Sequence, residues 1–337
     1  MKLFSKRTPN KMANLFSVAV AGAILSSPIV AQATVIDWTN QSMNQIDSYN
    51  TSTGLNTVVD GNAQTPDSMI FTSNGNNIIY GSNPSTGSNL YIYNIAAKTN
   101  TILASGTSLA GTNLGGPISI RDLALTPSGN SVLVSSYNGS TVYKVNIITG
   151  AVSTLASGSL PQGIVFTPSG NLFLNLGAGI EQINSSTGAV IQSNTTNGSL
   201  DGLTYDPTTG FLYATDGTAS KNGTTIFQIN PTTLAETALT ISGTGVPTSL
   251  NLDGIEATQN GNLILANYSN NMLEYFTATN TTTVLASTAG IDDVAPLVGG
   301  GSGLTGTPEP GTFALFGTGI LAMALFSLYS RRKAESC

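Results

Sequence analysis

The sequence predicts an all-β chain: a six-bladed β-propeller with four-stranded blades, closed by N- and C-terminal strands in one blade, plus one C-terminal transmembrane helix. Three observations lead there. A unit of about 40 residues recurs through the middle of the chain. Its composition favours short strands and many turns, and the unit series is incomplete at its two ends in complementary ways.

Five segments align. They are DSMIFTSNGNNIIYG from Asp67, RDLALTPSGNSVLVSS from Arg121, QGIVFTPSGNLFLNLG from Gln162, DGLTYDPTTGFLYATD from Asp201 and DGIEATQNGNLILANY from Asp253. Each reads as an apolar strand, a Gly/Asn turn and a second apolar strand. Proline presets φ early in such a turn, and Gly or Asn accepts the positive φ that joins two antiparallel strands. Third and fourth strands follow, as in STVYKVNIITGAVSTLAS, so each unit is a four-stranded meander.

The unit starts, taken as Asp67, Asp122, Gln162, Asp201, Asp253 and Asp292, are 55, 40, 39, 52 and 39 residues apart. The shorter spacing suits a propeller blade. The longer ones imply loop insertions around 106–119, 216–224 and 242–251. From Asp292 only DDVAPLVG remains, enough for one strand, while TVIDWTN, MNQIDSYNTSTG and LNTVVDG near the start read as a second, third and fourth. A sixth blade built from both ends closes the ring and leaves no open edge between first and last blade. Seven blades, or another repetitive β-architecture such as a sandwich pair, are the alternative readings of the same strands.

Composition removes several chemistries. The chain has no histidine, and its one cysteine is Cys337. A Ser/His/Asp triad, a histidine base, histidine-containing zinc sites, disulfides and a thiol nucleophile within the repeats are therefore excluded. Between residues 34 and 311 the only basic residues are Lys98, Arg121, Lys144 and Lys221, against 16 acidic ones. Such a surface repels nucleic acid and anionic membranes.

The ends carry targeting signals. Lys2, Lys6, Arg7 and Lys11 precede an apolar run from Leu15 to Leu25, and Ala31-Gln32-Ala33 closes a secretory signal over residues 1–33, with cleavage before Thr34. An uncleaved N-terminal membrane helix is the alternative. The propeller domain is assigned to 34–299, and a Gly-rich linker with a Pro-Glu-Pro sequence to 300–311. The transmembrane segment spans 312–330, where 19 residues carry no charge and reach about 28 Å as a helix, matching a hydrocarbon core. Arg331, Arg332 and Lys333 form a stop-transfer signal and keep the tail, 331–337, on the cytoplasmic side.

Pro308-Glu309-Pro310, the Gly-punctuated apolar span and Arg331-Arg332-Lys333 together resemble the PEP-CTERM sorting signal of Gram-negative bacteria and cyanobacteria. The resemblance implies export by the secretion machinery and transient residence at the outer face of the inner membrane. It further implies processing by an exosortase-type enzyme, delivery to the cell surface or extracellular matrix, and an association with exopolysaccharide and biofilm formation. The repeats resemble six- and seven-bladed propellers of the NHL, YncE-like and gluconolactonase-like superfamily. In the gluconolactonase-like enzymes a Glu, Asn and Asp set from inner strands binds a divalent cation over the central channel. No glutamate of this sequence is assigned to that place.

Asp67, Asp122, Gln162, Asp201, Asp253 and Asp292 begin the predicted innermost strands and form the candidate ring at the channel mouth. As a ligand site, the ring takes Ca²⁺ or a cationic or polyhydroxylated molecule. As scaffold, each carboxylate accepts backbone N–H bonds within or between blades. Asp206 and Asp216 sit in turns, and Asp216 with Asn222 is a weaker loop-calcium candidate. Trp38, Tyr80, Tyr137 and Tyr268 are candidate sugar-stacking aromatics or core. Two function classes follow. One is a binding or structural module for a polysaccharide or envelope protein, needing no cofactor. The other is a Ca²⁺-dependent lactonase or hydrolase at the central channel.

Overall fold

A computed structural model describes residues 35–296 apart from 84–87, 106–118, 159, 177, 196–198, 217–224, 249, 269–270 and 289. The predicted signal peptide, linker, transmembrane segment and tail, with Pro308, Glu309, Pro310, Arg331, Arg332 and Lys333, lie outside the described residues.

Turn chemistry sets the strand lengths. After the first strand of five units, a Thr or Asp carbonyl accepts the N–H of a left-handed glycine three or four residues on, at Gly75, Gly129, Gly170, Gly210 and Gly261. Between third and fourth strands an asparagine side chain caps the turn. Asn146 Oδ1, for example, accepts the Ile148 and Thr149 N–H groups at 3.0 and 2.9 Å, and Asn50, Asn184 and Asn230 repeat the pattern. These Asx turns satisfy backbone groups that a tight reversal leaves unpaired. Gly188 ends one of them with φ +71°, and a Cβ there would overlap the Leu155 carbonyl of the preceding blade.

The strands so bounded are β1 (Val35–Asn40), β2 (Gln45–Asn50) and β3 (Leu55–Asp60); β4 (Pro66–Phe71), β5 (Asn77–Ser82), β6 (Leu90–Asn94) and β7 (Thr99–Ala104); β8 (Ile120–Leu125), β9 (Ser131–Ser136), β10 (Thr141–Asn146) and β11 (Val152–Ser157). Then come β12 (Ile164–Phe166), β13 (Leu172–Asn175), β14 (Gly179–Ile183) and β15 (Val190–Thr195); β16 (Leu200–Asp206), β17 (Phe211–Asp216), β18 (Thr225–Ile229) and β19 (Glu236–Thr240). The series ends with β20 (Leu252–Ala257), β21 (Leu263–Asn267), β22 (Asn271–Phe276), β23 (Thr281–Ser287) and β24 (Ile291–Pro296).

They form six four-stranded antiparallel sheets. Five are sequential meanders, and the sixth has the order β24-β1-β2-β3, with Ile36 opposite Pro296 and Trp38 opposite Val294. The first strands contact one another in the cycle β4, β8, β12, β16, β20, β24 and back to β4. The six-bladed, end-closed propeller is thus the observed fold.

Each blade interface holds its own apolar cluster. Ile79 and Leu90 meet Ile120, Val134 and Tyr143 across one interface, and Trp38, Ile36 and Ile291 meet Ile264 and Met272 across another. Toward the axis the blades are joined by a polar clasp. Thr39 Oγ1 accepts the Asp293 N–H at 2.8 Å and donates to the Asp67 carbonyl of the next blade at 2.8 Å. Ser135 does the same between the β8 and β12 strands and Thr215 between β16 and β20, and Asn175 does it with its amide between β12 and β16. The inner strands β24, β8 and β16 bulge against their second strands at these residues, so the side chain replaces ladder bonds that the bulge removes.

Thr39→Val keeps the shape and leaves a buried N–H and carbonyl unpaired at the ring closure. The expected loss is about 2–4 kcal/mol, measured as a lower urea midpoint; an unchanged midpoint would show that the clasp carries no stability.

Candidate functional site

Where the inner strands begin, the clasp also defines which residues are equivalent. The residue before each clasped N–H is Asp292, Arg121, Gln162 and Asp201 in turn. Asp67 and Asp253 take the same place in their blades through carbonyls that accept from Thr39 and Thr215. Asp122 is therefore shifted by one residue from the expected ring, and Arg121 stands in its place. The aspartate pattern that suggested Asp122 misled because both residues are polar and the bulge hides the register.

A cavity of about 90 Å³ runs into the channel, with Asp67, Arg121, Asp201, Asp253 and Asp292 at its mouth. Asp122, Asp293 and Glu256 lie deeper, and the walls below are apolar, including Met69, Phe71, Leu125 and Ile255. Gln162 does not line this cavity. Asp67 and Asp292 are almost fully buried, whereas the other charged residues keep some exposure to the cavity itself.

The mouth groups are interlocked. Asp292 lies within hydrogen-bond reach of Asp67 and Asp253. Burial first, then the charges of Asp67 and Asp253, raise the Asp292 pKa well above the ordinary carboxyl value. Asp67 also accepts from Asn83 Nδ2 at 2.6 Å, and burial lifts it to about 6. Gln41 Nε2 donates to Asp292 at 3.3 Å, and Tyr268 Oη donates to Gln41 at 3.3 Å. The Arg121 guanidinium lies 5.5 Å from the Tyr137 ring centroid, and its buried Nε has no hydrogen-bond partner. Burial works against its charge, but Asp67, Asp201, Asp253 and Asp292 outweigh that, and its pKa rises.

The deeper carboxyls serve the scaffold. Asp122 accepts the Leu123 N–H at 2.7 Å and the Ile164 N–H of the next blade at 2.8 Å. Asp293 repeats this with Val294 and Met69 at 2.8 and 2.9 Å. Burial raises Asp293 to about 7 despite those bonds, with the Asp253 and Asp67 charges adding to the rise. Glu256, held by the Thr204 hydroxyl at 2.9 Å, is raised to about 8 by burial, with Asp293 adding to it. Sequence reading missed Arg121, Glu256 and Asp293 as channel groups. The signal was present: all three stand on inner strands within three residues of a ring position.

A divalent cation of the lactonase kind does not fit these residues. Among the described residues no three carboxylates are grouped to hold a metal ion, and Asp122 and Asp293 spend both oxygens on backbone N–H groups. Asp206 is a turn residue, accepting from the Thr208 N–H and Thr209 hydroxyl at 2.8 and 2.7 Å. Asp216 is buried at the end of β17, and Asn222 lies outside the described residues. Trp38 and Tyr80 are buried, Tyr80 stacking on Tyr91 with centroids 5.1 Å apart; neither offers a sugar platform. Tyr137 and Tyr268 are partly exposed beside the mouth.

The C-terminal signal is the part of the chain that comparison with known proteins settles. Residues 307–333 match the PEP-CTERM protein-sorting motif. The chain is an exported six-bladed propeller that carries a PEP-CTERM sorting signal. That motif makes the protein envelope-associated, and it spans the predicted Pro308-Glu309-Pro310 and Arg331-Arg332-Lys333. No curated protein matches the sequence. Among solved structures the chain is similar to one in a nidogen/laminin complex, at 12% identity and TM-score 0.61, covering 79% of this chain and 98% of that one. It is also similar to TolB from Acinetobacter baumannii, at 16% identity and TM-score 0.59, covering 79% and 66%. A Bacteroides caccae protein matches at 15% identity and TM-score 0.57, covering 79% and 99%. At these identities the likeness is one of fold.

The raised carboxyls predict a pH dependence. The folded state binds protons that the unfolded state releases between about pH 4 and pH 8, so stability falls as pH rises through the folded values of about 6 to 8. The melting temperature at pH 5 is expected to exceed that at pH 8 by on the order of 5–10 °C. Glu256→Gln should flatten the upper part of that slope, and a melting temperature that rises from pH 5 to pH 8 would contradict the assignment.

Proposed function

We propose that the exported propeller is a binding or structural module whose working face is the channel mouth, and that it takes a neutral polyhydroxylated ligand, a saccharide of the exopolysaccharide or biofilm matrix. The observation that carries this reading is the mixture of groups on one rim. Arg121 is a donor without an acceptor at Nε, Asp67, Asp201 and Asp253 are acceptors, Gln41 and Asn83 present amides, and Tyr137 and Tyr268 present partly exposed rings. Sugar hydroxyls donate and accept at once, and their ring faces pack on aromatics.

Loop placement supports the same face. The tight Thr-x-x-Gly and Asn-x-x-x-Gly turns lie at the opposite end of the strands, whereas the connections β7–β8, β17–β18 and β19–β20 begin and end at the mouth. These are the three places where the sequence predicts insertions. In β19–β20, Ile241 and Leu250 are buried while the residues between them are mostly exposed. A rigid ring whose longest connections leave and rejoin the strands at the end that carries the polar opening is suited to recognition. The acidic surface disfavours polyanionic glycans.

Titration of the protein against neutral polysaccharides from its own host's matrix should show saturable binding, weakened about tenfold or more by Tyr137→Ala or Gln41→Ala. Binding that is unaffected by both variants places the ligand elsewhere, and failure with every neutral polysaccharide removes the saccharide reading. Processing has a separate measurement. Mass spectrometry of the mature protein should find Thr34 as its first residue and no peptide beyond 308–311. Recovery of Arg331 to Cys337 in the mature chain would mean that the tail is retained as an anchor.

A further inference from the structure

Away from the mouth, along the outer rim and the turn end of the ring, exposed apolar side chains gather on one side. Leu55 and Val58 on β3, Ile102 on β7, Ile148 in the β10–β11 turn, and Val190 and Ile191 on β15 are each more than half exposed, Ile148 at 80%. They belong to four consecutive blades. Contacts between those blades join them into an arc. Tyr93 of the β4–β7 blade donates to the Val59 carbonyl, next to Val58, at 2.6 Å. A Cβ on Gly150, behind Ile148, would overlap the Leu103 carbonyl beside Ile102, and one on Gly188, before Val190, would overlap that of Leu155. The two remaining blades, β16–β19 and β20–β23, expose Thr232, Thr233, Thr279 and Asn280 in the same turns and no large apolar side chain among the described residues.

The exit of the chain and the charge pattern identify the partner. Strand β24 ends at Pro296 and pairs there with the start of β1, at the end of the inner strands opposite the mouth. Residues 297–311 separate Pro296 from the charge-free apolar run 312–330 and reach at most about 50 Å when extended, so a bilayer holding that run stays within this distance of the arc's end of the ring. Among the described residues Lys98, in the β6–β7 turn on the same arc, is the only exposed charged side chain. Every described carboxylate is buried or half-buried, so the arc itself presents no negative charge to a headgroup.

We propose that this arc is a membrane-contact surface: in the tail-bearing protein the ring rests on the bilayer through Leu55, Val58, Ile102, Ile148, Val190 and Ile191, and the channel mouth faces away from the membrane. Aliphatic side chains on such an edge bury into the boundary between headgroups and acyl chains, and Lys98 reaches the lipid phosphates. A stable contact between two copies needs a continuous, well-packed apolar centre, whereas this arc is broken by the exposed Ser153 and Thr154 and follows a curved edge that a fluid surface matches. The contact is weak by itself. The tether makes it effective by turning docking into an intramolecular event at an effective concentration of about millimolar, and removal of the tail lets the ring leave.

The inference rests on the tail being held in a bilayer and is independent of what the mouth binds. Its test uses the full chain reconstituted in phosphatidylcholine vesicles, with flotation reading tail insertion separately. Trp38 is the only tryptophan and is buried, so a tryptophan introduced elsewhere reports its own surroundings. Emission from Ile148→Trp and from Val190→Trp should shift to the blue and fall at least about twofold when the lipid carries bromine near the headgroup end of its acyl chains. Leu160→Trp, exposed at the mouth end, should keep its emission. Adding Ile102→Asp and Val190→Asp to Ile148→Trp should remove most of the quenching. A chain that floats while Ile148→Trp and Val190→Trp stay in water overturns the proposal and leaves the tail anchor standing; a chain that does not float overturns both. Equal quenching at Leu160→Trp overturns it too. Blue-shifted emission that ignores bromine and grows with the protein-to-lipid ratio gives the arc to a second copy and overturns it as well.

Discussion

Closing a ring of blades requires each inner strand to leave its own sheet at its first residues and meet the next blade there, and the structure depends on how the exposed backbone groups are then paired. Thr39, Ser135, Asn175 and Thr215 do this with one short polar side chain each, accepting from their own inner strand and donating to the next. In two blades an aspartate adds a second bond across the same gap, Asp122 to Ile164 and Asp293 to Met69. The apolar clusters between blades supply most of the burial, but they are non-directional. The clasp gives the blades a fixed register about the axis, because a buried N–H or carbonyl left unpaired costs more than the bond gains.

The same geometry makes the channel mouth electrostatically unusual. Bringing the first residues of six strands to one axis gathers whatever charges they carry, and here four are carboxylates, one is an arginine and one is a glutamine. Burial raises the pKa of Asp67, Asp253 and Asp292 above the ordinary carboxyl value. Arg121 then stabilises the charge that remains.

Most of the fold was legible because its signals are local. The Thr-x-x-Gly and Asn-x-x-x-Gly turns are contained in five-residue windows, and the truncated last unit announces that its partners lie near the start of the chain. The site was legible only in part. Asp67, Asp201, Asp253 and Asp292 were placed at the mouth by counting from strand starts, but Asp122 was counted into a position that belongs to Arg121. The bulge at Ile120–Asp122 adds a residue whose direction depends on Ser135 and on the blade beyond. Glu256 went unassigned because its meaning lies in Thr204, 52 residues earlier.

By itself, then, the sequence carried the sorting motif, the repeating unit, the complementary incomplete units near the two ends that favour a six-bladed closure, and the absence of histidine and cysteine chemistry from the propeller. Each of these is written in contiguous residues or in composition. Only the tertiary structure decided which polar residues share the channel, that Arg121 stands among the carboxylates, and that Asp122 and Asp293 are committed to backbone bonds. Those outcomes depend on distances between residues tens to hundreds of positions apart, set by how six blades meet around one axis.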